Sequence, residues 1–226
     1  MRGAVNIAAG RGIAWTAAAA CLAVVAAAGC QPVGFLAYVI GGEGTVERVH
    51  KLDKRPTVVL VDDPSEPGLL PSPQLTNLIA GRVGDALVRE GVLKEAQVVA
   101  ADRVSRLAAD HVDFEDWAID RVGLEVGAEQ VVYVLVTGFT VSQGGAVYEP
   151  AATARVKVMD AETGRRLFPA RGSHPVATKL RLQPMENATA TTDLIVARRL
   201  GEALARDVAR LFHKWQPEPA GRMLGE

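Results

Sequence analysis

The pattern of hydrophobic and polar positions first predicts a strand followed by a helix. Residues 57–61, TVVLV, form a short apolar run rich in β-branched residues, which is typical of a buried central strand. The loop formers DDPSEPG end this run. Ser72 and Pro73 then suit an N-cap and the first helical position, and apolar residues recur three or four apart until Gly91.

A second strand and a second helix are predicted in the next thirty residues or so. The run AQVVAA at 96–101 is apolar and contains adjacent valines, which indicates a strand. A helix is expected to open at Asp113, whose side chain suits an N-cap, and to close at Gly127.

The second half of the chain predicts a meander of strands and a long final helix. Three strands are expected, at 130–141, 152–159 and 176–182. The first of them, QVVYVLVTGFTV, is the most apolar stretch after the N-terminal region and should lie at the centre of the sheet. Turn-forming residues separate these strands at 142–145 and 160–164. The final helix should run from Ala197 to Trp215, because its apolar residues are spaced three or four apart and Pro217 follows.

The predicted order is strand-helix-strand-helix-strand-strand-strand-helix. Strands joined through a helix pair in parallel, whereas strands joined by a tight turn pair antiparallel. The sequence therefore predicts a single α/β domain over residues 56–216, with a mixed sheet and helices packed on it.

The N-terminal residues have the features of a secretory signal. Arg2 and Arg11 precede an apolar run from Ile13 to Ala28, and no acidic residue occurs in this region. The run is shorter than the roughly 20 apolar residues that cross a bilayer. It ends in AVVAAAGCQP, which resembles the bacterial lipobox. The resemblance implies that the thiol of Cys30 is diacylated, that residues 1–29 are removed, and that the new amine is acylated.

This interpretation predicts residues 30–55 to be a lipidated tether and residues 217–226 to be a disordered tail. Two alternatives are an ordinary secretory signal and a retained anchor helix in which Cys30 is a small buried residue. In enteric-type bacteria an Asp after the cysteine favours the inner membrane, and Gln31 stands there instead. We therefore expect the periplasmic face of the outer membrane.

Composition narrows the classes of function. Loss of residues 1–29 removes Arg2 and Arg11 from the 25 basic residues and leaves all 26 acidic ones, so the formal net charge becomes −3. A nucleic-acid-binding domain is usually strongly basic, which argues against that class. Cys21 lies inside the signal, so the chain after processing has no free thiol for a disulfide, a metal site or a nucleophile.

Several segments resemble one group of envelope proteins. TVVLVDDPSE, REGVL, GAEQVVYVLVTGF, ARVKVMDAETGRRLFP and RRLGEALARDVARLFHKW look like the lipoprotein superfamily that includes the curli-secretion subunit and the activators of peptidoglycan synthases. The likeness to uncharacterised lipoproteins of this architecture is closer. The resemblance to these lipoproteins implies a non-enzymatic accessory, scaffold or assembly factor. Such a protein binds a protein partner or forms a homo-oligomer, and it needs no cofactor.

An oligomeric export component is the alternative within that resemblance. The curli subunit adds membrane-spanning hairpins, each strand of which needs about 9 to 11 residues beyond the soluble sheet. Residues 127–183 of this chain have room for the meander and little more.

Two groups of charged residues are candidate sites. Asp62 and Asp63 follow the first strand, where open α/β sheets often bind ligands, so a metal-dependent enzyme could use them; an ordinary solvated turn is the alternative. Arg155 and Lys157 alternate with apolar residues in one predicted strand, and Lys179 and Arg181 do so in the next. If these strands pair, the four cations form a surface for an acidic partner, lipid head groups or cell-wall carboxylates, or a solvated face that protects an edge strand.

No other catalytic or metal site is predicted. The four histidines are scattered without the spacing of zinc ligands, and the serines lack the Gly-x-Ser-x-Gly or Ser-x-x-Lys setting of a nucleophile.

Overall fold

A mixed sheet with helices on both faces forms the domain. The computed structural model describes residues 44–65, 68–141, 150–180 and 190–217. The strands are β1 (Thr57–Asp62), β2 (Val98–Val99), β3 (Gln130–Thr140), β4 (Ala151–Asp160), β5 (Arg166–Phe168) and β6 (His174–Lys179). The α-helices of the described residues are α1 (Pro73–Arg89), α2 (Ala101–Asp110), α3 (Ile119–Glu125) and α4 (Ala190–Ala209).

The strands pair in the order β2-β1-β3-β4-β5, and β6 pairs with β4 beside β5. β1 is parallel to β2 and β3, whereas β4 is antiparallel to β3, β5 and β6. The predicted α/β class, the mixed sheet and the central position of the third strand are confirmed.

The larger part of the core lies between one sheet face and the two long helices. α1 and α4 bury Ile79 and Leu204 against the sheet residues Val132 and Val156, all four of which are essentially inaccessible to solvent. The helical spacing of apolar residues in both helices explains why each presents one continuous apolar side to the sheet. Pro73 opens α1 as expected, although Ser72 makes no side-chain cap hydrogen bond.

A smaller core cluster lies on the opposite face. α2 and α3 cover Val58 and Val131 there, at one end of the sheet. Gly123 of α3 approaches the sheet so closely that a Cβ at this position would lie 2.5 Å from Val131 Cγ2 and 2.9 Å from Ala161 Cβ. A side chain of any size therefore requires α3 to move away from β3.

Replacing Gly123 by alanine should consequently destabilise the domain by about 2 kcal/mol, because overpacking outweighs the higher helix propensity of alanine. Gly81→Ala is the matched control: Gly81 lies inside α1, and a Cβ at that position would have no packing neighbour within 4 Å. That change should be neutral or stabilising by up to about 1 kcal/mol. Urea unfolding midpoints measure both effects, and equal midpoints for the two variants would contradict the close approach.

Several element predictions need correction, and β5 (Arg166–Phe168) was not predicted at all. The strand expected at 96–101 is limited to Val98–Val99, and α2 begins at Ala101. Val104 and Leu107 of α2 are spaced for a helix and pack on the smaller cluster, so burial of this side favours a helix where none was expected. The helix expected from Asp113 is a 3₁₀ turn followed by α3, and the Asp113 carboxylate accepts a 2.9 Å hydrogen bond from Trp117 Nε1 instead of capping a helix.

The final helix is shifted towards the N-terminus. It begins at Ala190 and ends at Ala209, and the chain then turns so that Leu211 and Phe212 enter the core. Trp215 pairs with Val46 in an antiparallel bridge, with a 2.7 Å hydrogen bond from Val46 N to Trp215 O. This tertiary contact, together with the burial of Phe212, ends the helix before Pro217.

The described part of the expected tether packs against the domain. Besides the bridge from Val46, Leu52 is only 2% exposed and belongs to the larger core cluster. Cys30, the 142–145 turn and Arg181 lie outside the described residues, as does the predicted tail from residue 218 onwards.

Candidate functional site

Part of the sheet face opposite α1 and α4 is left uncovered by α2 and α3. We call this surface the open face; it consists of Asp62, Tyr133, Leu135, Thr153, Arg155, Lys157 and Lys179. Strand alternation and register place these residues on one side, because Leu135 pairs with both Asp62 and Arg155, and Tyr133 pairs with Lys157. Arg155, Thr153 and Lys179 are exposed, whereas Tyr133, Leu135 and Lys157 are half-buried.

The register brings three of the four predicted cations to the open face. Arg155 and Lys157 lie two residues apart on β4, and Lys179 pairs with Ala151, which has the same orientation as Arg155. Arg155 itself is opposite Pro175, so none of these three cations directly faces another across the β4–β6 pair. The direct repulsion that like charges in a cross-strand pair would cause is thus avoided.

Lys157 is part of a cluster that joins three strands. Tyr133 Oη donates a 2.5 Å hydrogen bond to Asp62 Oδ2, and Lys157 Nζ lies 4.6 Å from the centre of the Tyr133 ring. Burial raises the pKa of Tyr133, and the hydrogen bond and negative charge of Asp62 raise it further. The phenol therefore stays protonated near neutral pH and keeps donating to the carboxylate.

The charged form of Lys157 is less stable at this position than the charged form of a free lysine. Burial lowers its pKa, the nearby Arg166 lowers it further, and Asp62 partly opposes both effects. An incoming anion would relieve this excess of positive charge, which makes the cluster suited to an acidic group.

The sequence did not single out Tyr133 or Arg166. Tyr133 is the one residue with a side-chain hydroxyl within the apolar run QVVYVLV, and a polar tip in such a run is the signal that could have identified it. Its partner Asp62 lies 71 residues earlier, so the contact itself depends on the pairing of β1 with β3.

The carboxylates of Asp62 and Asp63 accept hydrogen bonds from different partners. The Asp62 side chain lies on the open face, where it accepts the hydrogen bond from Tyr133. Asp63 Oδ2 accepts a 2.7 Å hydrogen bond from Leu70 N and so stabilises the loop after β1. Across the described ranges, no group of three His, Cys, Asp or Glu side chains is arranged to hold a metal ion.

The D-x-x-T-G turn at 160–164 is a structural feature. Asp160 Oδ1 accepts hydrogen bonds from Thr163 N at 2.9 Å and from Thr163 Oγ1 at 2.7 Å, and Oδ2 pairs with Arg55 at 2.8 Å. The Thr163 hydrogen bonds and the Arg55 guanidinium lower the pKa of Asp160 to about 2. Gly164 follows with a φ of 64°, which a glycine adopts without strain.

The comparisons with known proteins find solved structures whose backbone fold is partly similar to that of this chain. No family model and no curated protein sequence matches this chain. Among solved structures, the PelC dodecamer from Paraburkholderia phytofirmans matches at 13% identity over 76% of this chain and 99% of that chain, with a TM-score of 0.42. The lipoprotein GNA1162 from Neisseria meningitidis matches at 14% identity over 65% and 91% of the two chains, with a TM-score of 0.36.

A third structure, the hypothetical protein CT253 from Chlamydia trachomatis, matches at 12% identity over 70% of this chain and 94% of that chain, with a TM-score of 0.35. TM-scores in this range describe a partial likeness of chain path and carry no information on function. Within the described part of the chain, no helix combines the length and apolar content needed to cross a bilayer.

Proposed function

We propose that this protein is a lipid-anchored, non-enzymatic envelope protein that binds an acidic protein partner through the open face. The observation that carries the proposal is a sheet face, left uncovered by the helices of the described residues, on which Arg155, Lys157 and Lys179 share one side with a half-buried aromatic residue. Surfaces that bind proteins often combine aromatic and arginine side chains with a charge opposite to that of the partner.

The anchor in this proposal is Cys30, acylated after removal of residues 1–29, and the location is the cell envelope at the periplasmic face of the outer membrane. The partner is either a different protein, which makes this chain an accessory factor, or further copies of the chain, which makes it part of an oligomeric assembly. The divergence of Asp62 and Asp63 weakens the alternative of an enzyme built on that pair.

Reversal of two charges on the open face tests the proposal. We expect Arg155→Glu with Lys157→Glu to reduce the amount of co-purified partner by about tenfold or more, because each reversed charge replaces an attraction by a repulsion. The measurement is extraction of affinity-tagged protein in a mild detergent, followed by weighing of the intact complex and identification of its components.

Arg106→Glu with Arg199→Glu is the matched control, since both arginines are exposed and lie on α2 and α4 rather than on the sheet. The control should keep its partner. A complex that survives the double reversal in the open face and is insensitive to added salt would contradict the proposal. The mass of the wild-type complex separates a homo-oligomer from a complex with a second protein.

A further inference from the structure

A projecting acidic segment lies at the end of α2. Residues 110–116 read DHVDFED, so they carry four carboxylates and no lysine or arginine. Val112, near the middle of this stretch, is fully exposed to solvent. An apolar side chain without any cover, flanked by carboxylates, indicates that the stretch projects from the domain. We call residues 110–116 the acidic segment.

Two aromatic residues hold the acidic segment beside the open face. Phe114 and Trp117 pack against the smaller core cluster, and Tyr133 and Met159 of the sheet pack against the same cluster. The ring centres of Phe114 and Trp117 lie 5.8 Å apart, and Trp117 Nε1 donates its hydrogen bond to Asp113 of the segment. The acidic segment therefore borders the open face on the same side of the sheet.

The acidic segment keeps an excess of negative charge. Arg121 lies over Trp117, with its guanidinium 3.5 Å from the ring centre, and offsets one of the four carboxylates. Arg106 of α2 pairs with Asp102 at 3.0 Å and therefore offsets none of them. The end of α2 and the start of α3 carry opposite partial charges, which oppose each other. Among the described residues the four carboxylates form no ion pair, and with histidine neutral an excess of three negative charges remains.

The open face has an excess of the opposite sign. It carries three cations, Arg155, Lys157 and Lys179, and the carboxylate of Asp62. Arg166 adds a fourth cation beside the face, close enough to Lys157 to lower the pKa of that lysine. Within the described part of the chain none of these four cations forms an ion pair. Four cations less one carboxylate leave an excess of three positive charges, which equals the negative excess of the acidic segment.

Two adjacent surfaces of opposite charge on one side of a molecule are complementary to the same side of a second copy. A two-fold rotation about an axis in the plane of contact places the acidic segment of each copy on the open face of the other. Every contact then occurs twice, and the assembly closes at two copies.

We propose that a second copy of this chain occupies the open face, in a two-fold symmetric dimer held by the acidic segments. This inference rests on the proposed function, because it names the acidic partner that the open face binds. Val112 at the tip of the segment reaches the half-buried Tyr133 and Leu135 of the other copy. These side chains form the apolar centre of the interface, and the charges form its polar rim.

Charge exchange between the two surfaces tests this proposal. We expect the processed full-length protein in a mild detergent to give the mass of a dimer by native mass spectrometry, and added salt should weaken that dimer. Arg155→Glu with Lys157→Glu should raise the dissociation constant of the dimer by about tenfold or more, because like charges then meet at both contacts. Glu115→Arg with Asp116→Arg should have the same effect for the same reason; both residues are exposed.

A mixture of these two variants should restore the dimer. The acidic open face of the first variant then meets the basic segment of the second, and the unchanged surfaces attract each other at the other contact. The two variants differ in mass, so the spectrum identifies the restored species as a heterodimer. Glu115→Gln with Asp116→Asn removes charge without reversing it and should weaken the dimer by a smaller factor.

Asp85→Arg with Glu95→Arg is the matched control. Both residues are exposed, and they lie on α1 and in the 3₁₀ turn after it, outside the acidic segment. This variant should dimerise as the wild type does. A monomeric wild type, or a mixture that does not restore the dimer, would overturn the proposal. A complex of more than two copies that both reversals disrupt would also overturn it, since its contacts would then be head-to-tail.

The same masses separate this inference from the proposed function. Arg155→Glu with Lys157→Glu could release a different protein while Glu115→Arg with Asp116→Arg retains it. That result would keep the proposed function and overturn the second copy as the partner. Binding that withstands the reversal on the open face would overturn both.

Discussion

Serine in place of Cys30 should leave the precursor uncut and abolish fatty-acid labelling. The lipobox resemblance makes the thiol the acyl acceptor, and a serine hydroxyl does not replace it. Each acyl CH₂ contributes about 0.8 kcal/mol to membrane binding, and one chain alone anchors a protein only marginally. The loss of all acyl chains therefore removes the permanent anchor. Labelling with a fatty acid, together with gel mobility, measures both effects.

Cys21→Ser is the matched control for this experiment. Cys21 lies within the apolar run of the predicted signal, nine residues before Cys30, and its replacement should leave cleavage and labelling unchanged. Fatty-acid labelling that persists in Cys30→Ser would show that the lipobox interpretation is wrong, and an ordinary secretory signal or a retained anchor would then be favoured.

Alanine in place of Asp160 should cost about 3 kcal/mol of folding free energy. The change removes two hydrogen bonds from Thr163 and leaves the part-buried Arg55 without this carboxylate, 105 residues away in the sequence. Hydrogen bonds to a charged group contribute about 1.5 to 3 kcal/mol each, and removing one member of a buried ion pair is costly because the other charge stays desolvated. Urea unfolding of wild type and variant measures the difference.

Glu162→Ala is the control for Asp160→Ala. Glu162 lies in the same turn but is exposed, and its removal should change stability by no more than about 0.5 kcal/mol. A similar loss in both variants would mean that the turn tolerates no change and that the Asp160 contacts are not the cause.

The same contacts predict how stability depends on pH. The pKa of Asp160 is lowered in the folded protein to about 2 from an ordinary value of 3.8, so the folded state favours the carboxylate. The resulting stabilisation is fully present above about pH 4 and is lost as pH falls towards 2. As the pH falls from about 4 to 2, the free energy of unfolding should therefore decrease less in Asp160→Ala than in the wild type. Parallel stability curves would contradict the assigned pKa shift.

The order of most elements could be predicted because their patterns are local. The apolar run TVVLV is buried on both faces, and in the longer run at 130–140 one face is buried while Tyr133 and Leu135 are half-buried on the other. Apolar runs of this kind are typical of central strands. The alternation of ARVKV in β4 also showed that Arg155 and Lys157 share one side. The helix α2 was not predicted because it is short. Its apolar side consists of residues such as Val104 and Leu107, which are recognised as buried only once they pack against the sheet.

The candidate site could be predicted only in part. Alternation within a strand has a period of two residues and can be read directly, so the cations of the open face were found. The proximity of Tyr133, Asp62 and Lys157 requires the register of three strands, and the cavity that Arg89 of α1 and Arg206 of α4 line requires the packing of these two helices. Both arrangements join residues that are far apart in the sequence, so a local sequence pattern does not predict them.

The sequence by itself determined the strand and helix periods, the mildly acidic charge and the cysteine that predicts a lipid anchor. The tertiary structure alone decided that Asp62 faces Tyr133 while Asp63 fastens a loop, that α4 ends at Ala209, and that cations from two helices line one groove. The physical reason is that secondary structure follows short-range patterns, whereas register, helix ends and clefts follow contacts between residues far apart in the chain.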